Sequence, residues 1–384
     1  MILLFVSLAL AAPLTADEVV TAALARDPAL AAADAAVHTA EGERRAATGL
    51  RENPTVEVRL GYGVPQHEVS VSQPLSVSGE GIAAAKAAKA ALTAAEATRD
   101  RRRLEVAAEA RRLAIDAVRA DAALVRAREV LALTAALRTA AEQRLAVGES
   151  PELDVRLARL EEAAAAADQL AATREALAAR EALAARTGLA AGSELPADPL
   201  ALVPAPASPG ERSDLLAATA RRDGAQAALS RERSAALPPI DVGAWAQVQD
   251  QGWSVGPTVA VTLPVWSANR AGTARAAGER DVAASELAAL EARIGVEQAG
   301  AADRRSAIDG VAATAEPSTE ARAALAGVEA AVLAGEIGPA EGALLRARVL
   351  ETWGRGAAAR AEAAILTVDL ALAESWPTLL PTAP

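Results

Sequence analysis

Cysteine is absent from all 384 residues, which removes disulfides, thiol nucleophiles and a lipid-anchored cysteine near the start. Methionine occurs only as Met1, so a soft-metal relay of sulfur ligands has nothing to run on, and no metal site is expected. Histidine is limited to His38, on a helical stretch, and His67, in a hairpin, and no catalytic constellation gathers around either. No Gly-rich loop stands in a phosphate-binding context, so neither a nucleotide nor any other cofactor is expected, and the chain does not read as an enzyme. Nothing beyond the N-terminus reaches the ~18 uninterrupted apolar residues of a membrane-spanning helix. Positive charge is not in excess either. The net charge is -11, and the arginines are interspersed with Glu and Asp, which excludes nucleic acid as a partner. Aromatics make up 2% of the chain, too few to anchor an ordinary globular core.

What remains is alanine. The sequence is 52% hydrophobic, much of it Ala, mixed with Leu, Glu and Arg, the composition of long helices packed closely side by side. Residues 1–16 read as a secretory signal peptide: Met1 to Ala12 is apolar and ends in small residues, with Ala9-Leu10-Ala11 as the cleavage candidate, although no Lys or Arg stands near Met1. Export without a spanning helix leaves a periplasmic, secreted or outer-membrane β-barrel destination.

The stretch Val255-Gly-Pro-Thr-Val-Ala-Val-Thr-Leu263 alternates with period two, placing Val255, Pro257, Val259, Val261 and Leu263 on one side of a strand. Pro264 ends the alternation, and a long Ala-rich helix follows. His67 to Gly79 does the same earlier in the chain. Around these junctions the same order is written twice. The first repeat, 17–187, holds a β-hairpin at 54–74 and a helical hairpin at 79–187. A Pro-rich linker at 188–213 carries Pro196, Pro199, Pro204, Pro206 and Pro209. The second repeat, 214–376, holds a hairpin at 239–264 and a helical hairpin at 267–376, and a tail follows at 377–384. The offsets are nearly constant: 185 from Pro54 to Pro239, 190 from Pro74 to Pro264, 187 from Gly148 to Gly335.

The run from Gly79 to Val147 contains no proline and predicts a helix on the order of 100 Å long. Ala110, Ala117, Leu124, Leu131 and Leu145 recur in it at sevenfold spacing, with Arg138 as the exception. Gly148 and Pro151 make the turn to the next helix, where Leu153, Leu157, Leu160, Ala164, Ala167 and Ala171 form a stripe predicted to pack back on the first. Pro317 should break or kink the corresponding helix of the second repeat.

Each repeat gives one hairpin, four strands in all, and four strands cannot close a barrel, while open strand edges are intolerable in lipid. Yet the strands are two-faced. Val56, Val58, Leu60, Val69, Val71, Ile240, Val242, Val255, Val259 and Val261 are the lipid-facing candidates. Tyr62, Trp253 and Trp266 lie at strand ends and suit a membrane interface; Trp245 falls by parity on the polar face. A sheet packed on the protein's own helices would alternate too. Closure through lipid requires several copies, and three give twelve strands and twelve long helices.

The chain resembles the TolC-like outer-membrane efflux family, including its CzcC/CusC-like branch. The resemblance covers nearly the whole mature chain and rests on Asp27-Pro28, Asn53-Pro54, Val69-Ser-Val-Ser-Gln-Pro-Leu75, Gly256-Pro-Thr-Val-Ala-Val-Thr-Leu-Pro-Val-Trp266, and Arg144-Leu-Ala-Val-Gly148 with Asp154 and Ala158. Gly335 and Glu341 repeat the last element, with Leu345 where the family carries a small residue. The resemblance implies a mainly α fold with a small β-barrel part, built as a homotrimer: a twelve-stranded β-barrel in outer-membrane lipid and a long α-helical barrel, with a large periplasmic part. It implies a passive exit duct for small molecules or metal ions, working with a periplasmic membrane-fusion adaptor and an inner-membrane efflux pump. Gly148, Pro151, Gly335 and Pro339 would form the periplasmic tip turns. Asp154 and Glu341 would set an acidic tunnel mouth, where three copies of a carboxylate favour cations; a carboxylate in a helix's first turn also simply complements the dipole. A periplasmic coiled-coil scaffold or adaptor, and a degenerate paralogue that no longer inserts, stay open as alternatives. The short Gly61–Gln66 turn and Pro257 inside a strand bear on the second.

Overall fold

Alanine, leucine and the long charged residues lose little side-chain freedom in a helix, and helices dominate the computed structural model. It describes residues 13–48, 53–61, 67–75, 78–149, 151–236, 240–249, 252–261, 269–313, 317–334 and 336–381. In chain order the elements are α1 (Ala16–Leu24), α2 (Pro28–Thr48), β1 (Thr55–Leu60), β2 (His67–Leu75), α3 (Glu80–Ala146), α4 (Glu152–Thr187), α5 (Ser213–Ser234), β3 (Ile240–Gln249), β4 (Gly252–Val261), α6 (Arg270–Ala299), α7 (Ala301–Ala312), α8 (Pro317–Leu333) and α9 (Pro339–Ala373). Short 3-10 turns at Pro199–Leu202 and Pro377–Leu379 complete the order. Two compact units result: Met1–Pro28 with Arg103–Gly210 and Glu297–Pro384, and Ala29–Arg102 with Glu211–Val296. Each draws on both halves of the chain, because the divisions fall inside α3 and α6.

The first unit is closed by small residues. Ala107, Ala110, Ala114 and Ala117 of α3 are fully buried, in one cluster with Ala361, Ala364 and Ala371 of α9 and with Val19, Val20 and Ala23 of α1. Missing side-chain bulk lets these backbones approach closely. Thr15 and Glu18 start α1 with a capping box. Arg111 enters this core at 2% exposure and donates from Nη1 to the Leu202 carbonyl at 2.8 Å and from Nη2 to the Leu379 carbonyl at 3.3 Å. One side chain thereby holds the linker and the C-terminal segment to α3. Asp27, buried just before Pro28, receives Arg186 of α4 at 2.7 Å.

The sevenfold series along α3 changes character with position: Ala110 and Ala117 are buried, Leu124 and Leu131 half-buried, and Leu145 sits exposed near the turn. The stripe predicted to seat α4 on α3 does not do so. Leu153, Leu157 and Leu160 are exposed, the last at 68%, and Ala164, Ala167 and Ala171 lie with them, whereas Val155, Ala165, Ala176 and Leu183 are buried. The buried face mixes Val155 and Leu183 with Ala165 and Ala176, so α4 carries two apolar faces and the one that holds Leu153, Leu157 and Leu160 points outward. Pro317 interrupts its helix outright, since α7 stops at Ala312 and α8 opens on Pro317, a position where the missing N–H is never needed. A second interruption, at Gly300 between α6 and α7, has no proline to announce it.

The second unit holds α2, α5, the start of α3 and most of α6 together with the sheet. Val37, Ala40 and Leu92 form a small buried cluster, and Asn269, at φ 49°, donates to the Glu232 carbonyl and carboxylate at 2.9 and 2.7 Å.

Candidate functional site

The four strands form one antiparallel sheet in the order β1-β2-β3-β4. Residues directly opposite in an antiparallel pair share a face, so the register fixes both faces. Val56 stands opposite Val71, Val58 opposite Val69, Val71 opposite Ala244, Val242 opposite Val259, and Ile240 opposite Val261. One face therefore carries Val56, Val58, Leu60, Val69, Val71, Ile240, Val242, Val255, Val259 and Val261. All ten sequence-predicted apolar positions are on it. His67 and Gln73 are its polar members, both near the ends of β2. Most of this face is open; Val255 is 76% exposed. Trp253, opposite Val248, extends the apolar face at the end where the hairpins turn. Tyr62 and Trp266 lie outside the described residues.

The other face carries Glu57, Arg59, Glu68, Ser70, Ser72, Asp241, Gln247 and Thr258, with Arg59 bridging to Glu57 at 3.0 Å and to Glu68 at 3.7 Å. Trp245 does fall on this side. Its indole covers Gly256, where a Cβ would come within 2.9 Å of the ring, so the cross-strand glycine makes room for the ring. Among the described residues β1 and β4 each have one unpaired edge. An apolar exposed face, a polar opposite face and two open edges are thus assembled in a single sheet.

The second candidate region is at the helix turns of the first unit. After α3, Gly148 adopts φ 78°; its N–H reaches the Leu145 carbonyl at 3.0 Å, and the Glu149 N–H reaches Arg144 at 2.9 Å. That is a Schellman closure, in which only glycine takes the left-handed position without strain. The Glu336 N–H repeats the second bond to the Ala331 carbonyl at 3.0 Å, although Gly335 itself lies outside the described residues. Pro151 caps α4, and Pro339 is the first residue of α9 behind the cap Gly338. Asp154 and Glu341 fall in the first turns of α4 and α9 at equivalent places, both exposed to solvent.

Between α3 and α4 the structure adds what the sequence pattern hides. Arg138, the break in the sevenfold series, is the centre of a network: it reaches Glu162 at 2.6 Å and Glu142 at 2.7 Å, and Glu142 also receives Arg159 at 2.9 Å. Hydrogen bonds from Arg159 and then Arg138 hold the Glu142 carboxyl below its ordinary range. Arg119–Glu175, Arg180–Asp121 and Arg186–Glu109 continue the ladder. The mismatched Arg138 was the one signal available in advance. Between α8 and α9 the contact is steric instead: a Cβ on Gly342 would stand 2.4 Å from Val332 Cγ2. Among the described residues no group of three or more His, Cys, Asp or Glu is placed to hold a metal ion, and no helix is long and apolar enough to cross a membrane.

No family model matches the sequence, and neither does any curated protein. Solved structures do resemble it. CusC, described in terms of folding and transmembrane channel formation, superposes at a TM-score of 0.71 with 17% identity over 94% of this chain and 92% of its own. The outer membrane protein VceC of Vibrio cholerae gives 0.68 at 19% identity, covering 93% and 94%. The MtrE outer membrane channel of Neisseria gonorrhoeae, in its open state, gives 0.68 at 19% identity, covering 96% and 91%. The agreement extends along essentially the full length of both chains in each case, and this chain has the TolC-like outer-membrane channel fold.

Proposed function

We propose that the chain is a passive, non-catalytic outer-membrane exit duct, working as a homotrimer in a tripartite efflux system. The observation that carries this is the sheet: a solvent-open apolar face backed by a polar face, with both edges unpaired. Unpaired backbone groups cost several kcal/mol each in hydrocarbon, so a lipid-embedded sheet of this kind has to close through copies. Three copies supply twelve strands to a barrel and the long helices to a helical tunnel. From Ile240 to Val248 a strand rises about 26 Å at ~3.3 Å per residue. At ~40° of tilt that covers about 20 Å of membrane, close to the ~25 Å apolar band of such barrels.

In this reading the ten apolar positions face lipid, and Tyr62, Trp253 and Trp266 sit at the interface. The turns at Gly148–Pro151 and Gly335–Pro339 form the periplasmic tips that meet an adaptor, and an inner-membrane pump supplies the energy. Asp154 and Glu341, repeated three times around the axis, make the tunnel mouth cation-favouring. Cargo, small molecule or metal ion, is chosen by the pump and adaptor. Outer-membrane residence and channel activity are what the likeness to CusC, VceC and MtrE supports.

Replacing Val259 and Val261 together with Asp tests the lipid-facing assignment. Each carboxylate on the lipid face adds roughly 1–3 kcal/mol against insertion. The double variant is expected to leave the membrane-embedded trimer. Wild-type amounts of embedded trimer would contradict the assignment.

A further inference from the structure

The first unit contains a cleft of 430 Å³ that the duct reading does not use. Its walls come from four segments: Val118 and Val125 on α3, Leu195 and Pro196 in the linker, Leu325 on α8, and Trp353 on α9. The volume lies in the range of small-molecule sites, which are lined mainly by apolar and aromatic side chains with a few placed polar groups. Trp353 is half-buried, and its indole also walls a neighbouring recess of 350 Å³. In a chain with so few rings, this one has no part in the sheet and is absent from the buried alanine cluster.

The charges around the cleft are mostly spoken for. Asp121 is held by Arg180 at 2.7 Å and Asp198 by Arg360 at 2.8 Å, two ion pairs that fix the α3 and linker walls. Arg322, on the lining, is engaged in a contact of its own. Glu129 remains: it lines the cleft, is exposed, and makes no ion pair among the described residues. An apolar slot with an indole wall and one unneutralised carboxylate is complementary to a ring bearing a positive charge.

We propose that this cleft binds a small amphipathic cation, an apolar ring system against Trp353 with an amine directed to Glu129. The inference rests on the geometry of this unit alone. Equilibrium dialysis of the purified full-length chain against 1-naphthylmethylamine tests it, with uncharged 1-naphthylmethanol as the matched comparison. Saturable binding of one amine per chain is expected, about threefold tighter than the alcohol. Glu129→Gln should erase that preference without weakening the alcohol. Trp353→Ala should weaken both ligands at least tenfold, and Trp353→Phe, which keeps a ring in place, should fall between. Non-saturable uptake, equal affinity for amine and alcohol in the wild type, or binding unchanged in Trp353→Ala and Trp353→Phe would each overturn the proposal.

Discussion

Arg111 brings a formal charge into a core made of alanine. Burial pushes its guanidinium below the usual arginine value, while Asp17, at 3.4 Å, works the other way. What stabilises it is the set of carbonyls it serves at Leu202 and Leu379, and its Nε finds no partner among the described residues. Replacing it removes the donors and leaves those acceptors buried, so Arg111→Met should cost about 2–3 kcal/mol. Thermal unfolding of the purified protein reads this directly. A loss below about 0.5 kcal/mol would show that the linker and C-terminal segment are held by packing alone. Gly342 offers a steric test of the same kind. Valine there, the residue its first-half counterpart Val155 carries, should overpack against Val332 and cost about 2 kcal/mol. Val332→Ala in the same chain should return at least half of that; no recovery would place the strain elsewhere.

At the scale of elements, the α3–α4 hairpin is registered by charge. Each exposed pair contributes little by itself, but Glu142 joins Arg138 and Arg159 in one network. Its depressed folded-state pKa fixes the sign: the contribution is present above the ordinary carboxyl value of 4.5 and is lost as pH falls through the lower folded value. Protection factors along 130–165, corrected for the slower intrinsic exchange of amides in acid, should therefore fall on acidification below pH 4.5. Glu142→Gln should exchange faster at neutral pH and lose part of that acid dependence. An identical pH profile in the variant would remove Glu142 from the account.

Legibility also divides at this scale. Period-two alternation was enough to put Val255, Val259 and Val261 on one side of their strand, and the register keeps them there. Pairing of β2 with β3 was not readable, because Val71 and Ala244 meet across 173 residues and nothing local records the partner. The α4 stripe was misread for a different reason. Leu153, Leu157 and Leu160 mark one apolar face, but Val155, Ala165, Ala176 and Leu183 mark another, and periodicity alone does not say which of the two is buried. Arg138 looked like a defect in a heptad and is an inter-helix contact. The turn at Gly148 was legible because a left-handed helix end requires glycine.

At the scale of the molecule, a mainly helical fold with a small two-faced sheet followed from the duplicated pattern, and the solved channels share that fold along nearly their full length. A duplicated chain with one hairpin per half supplies four strands, too few to close alone. The duct account therefore makes assembly a necessity of the backbone, since open edges and an apolar face cannot both be left in a single copy. The most direct measurement is to express the chain from Met1, separate inner from outer membrane on a density gradient, and weigh the detergent-extracted species. The account predicts a trimer in the outer-membrane fraction. A monomer or dimer recovered in the periplasmic extract would contradict it.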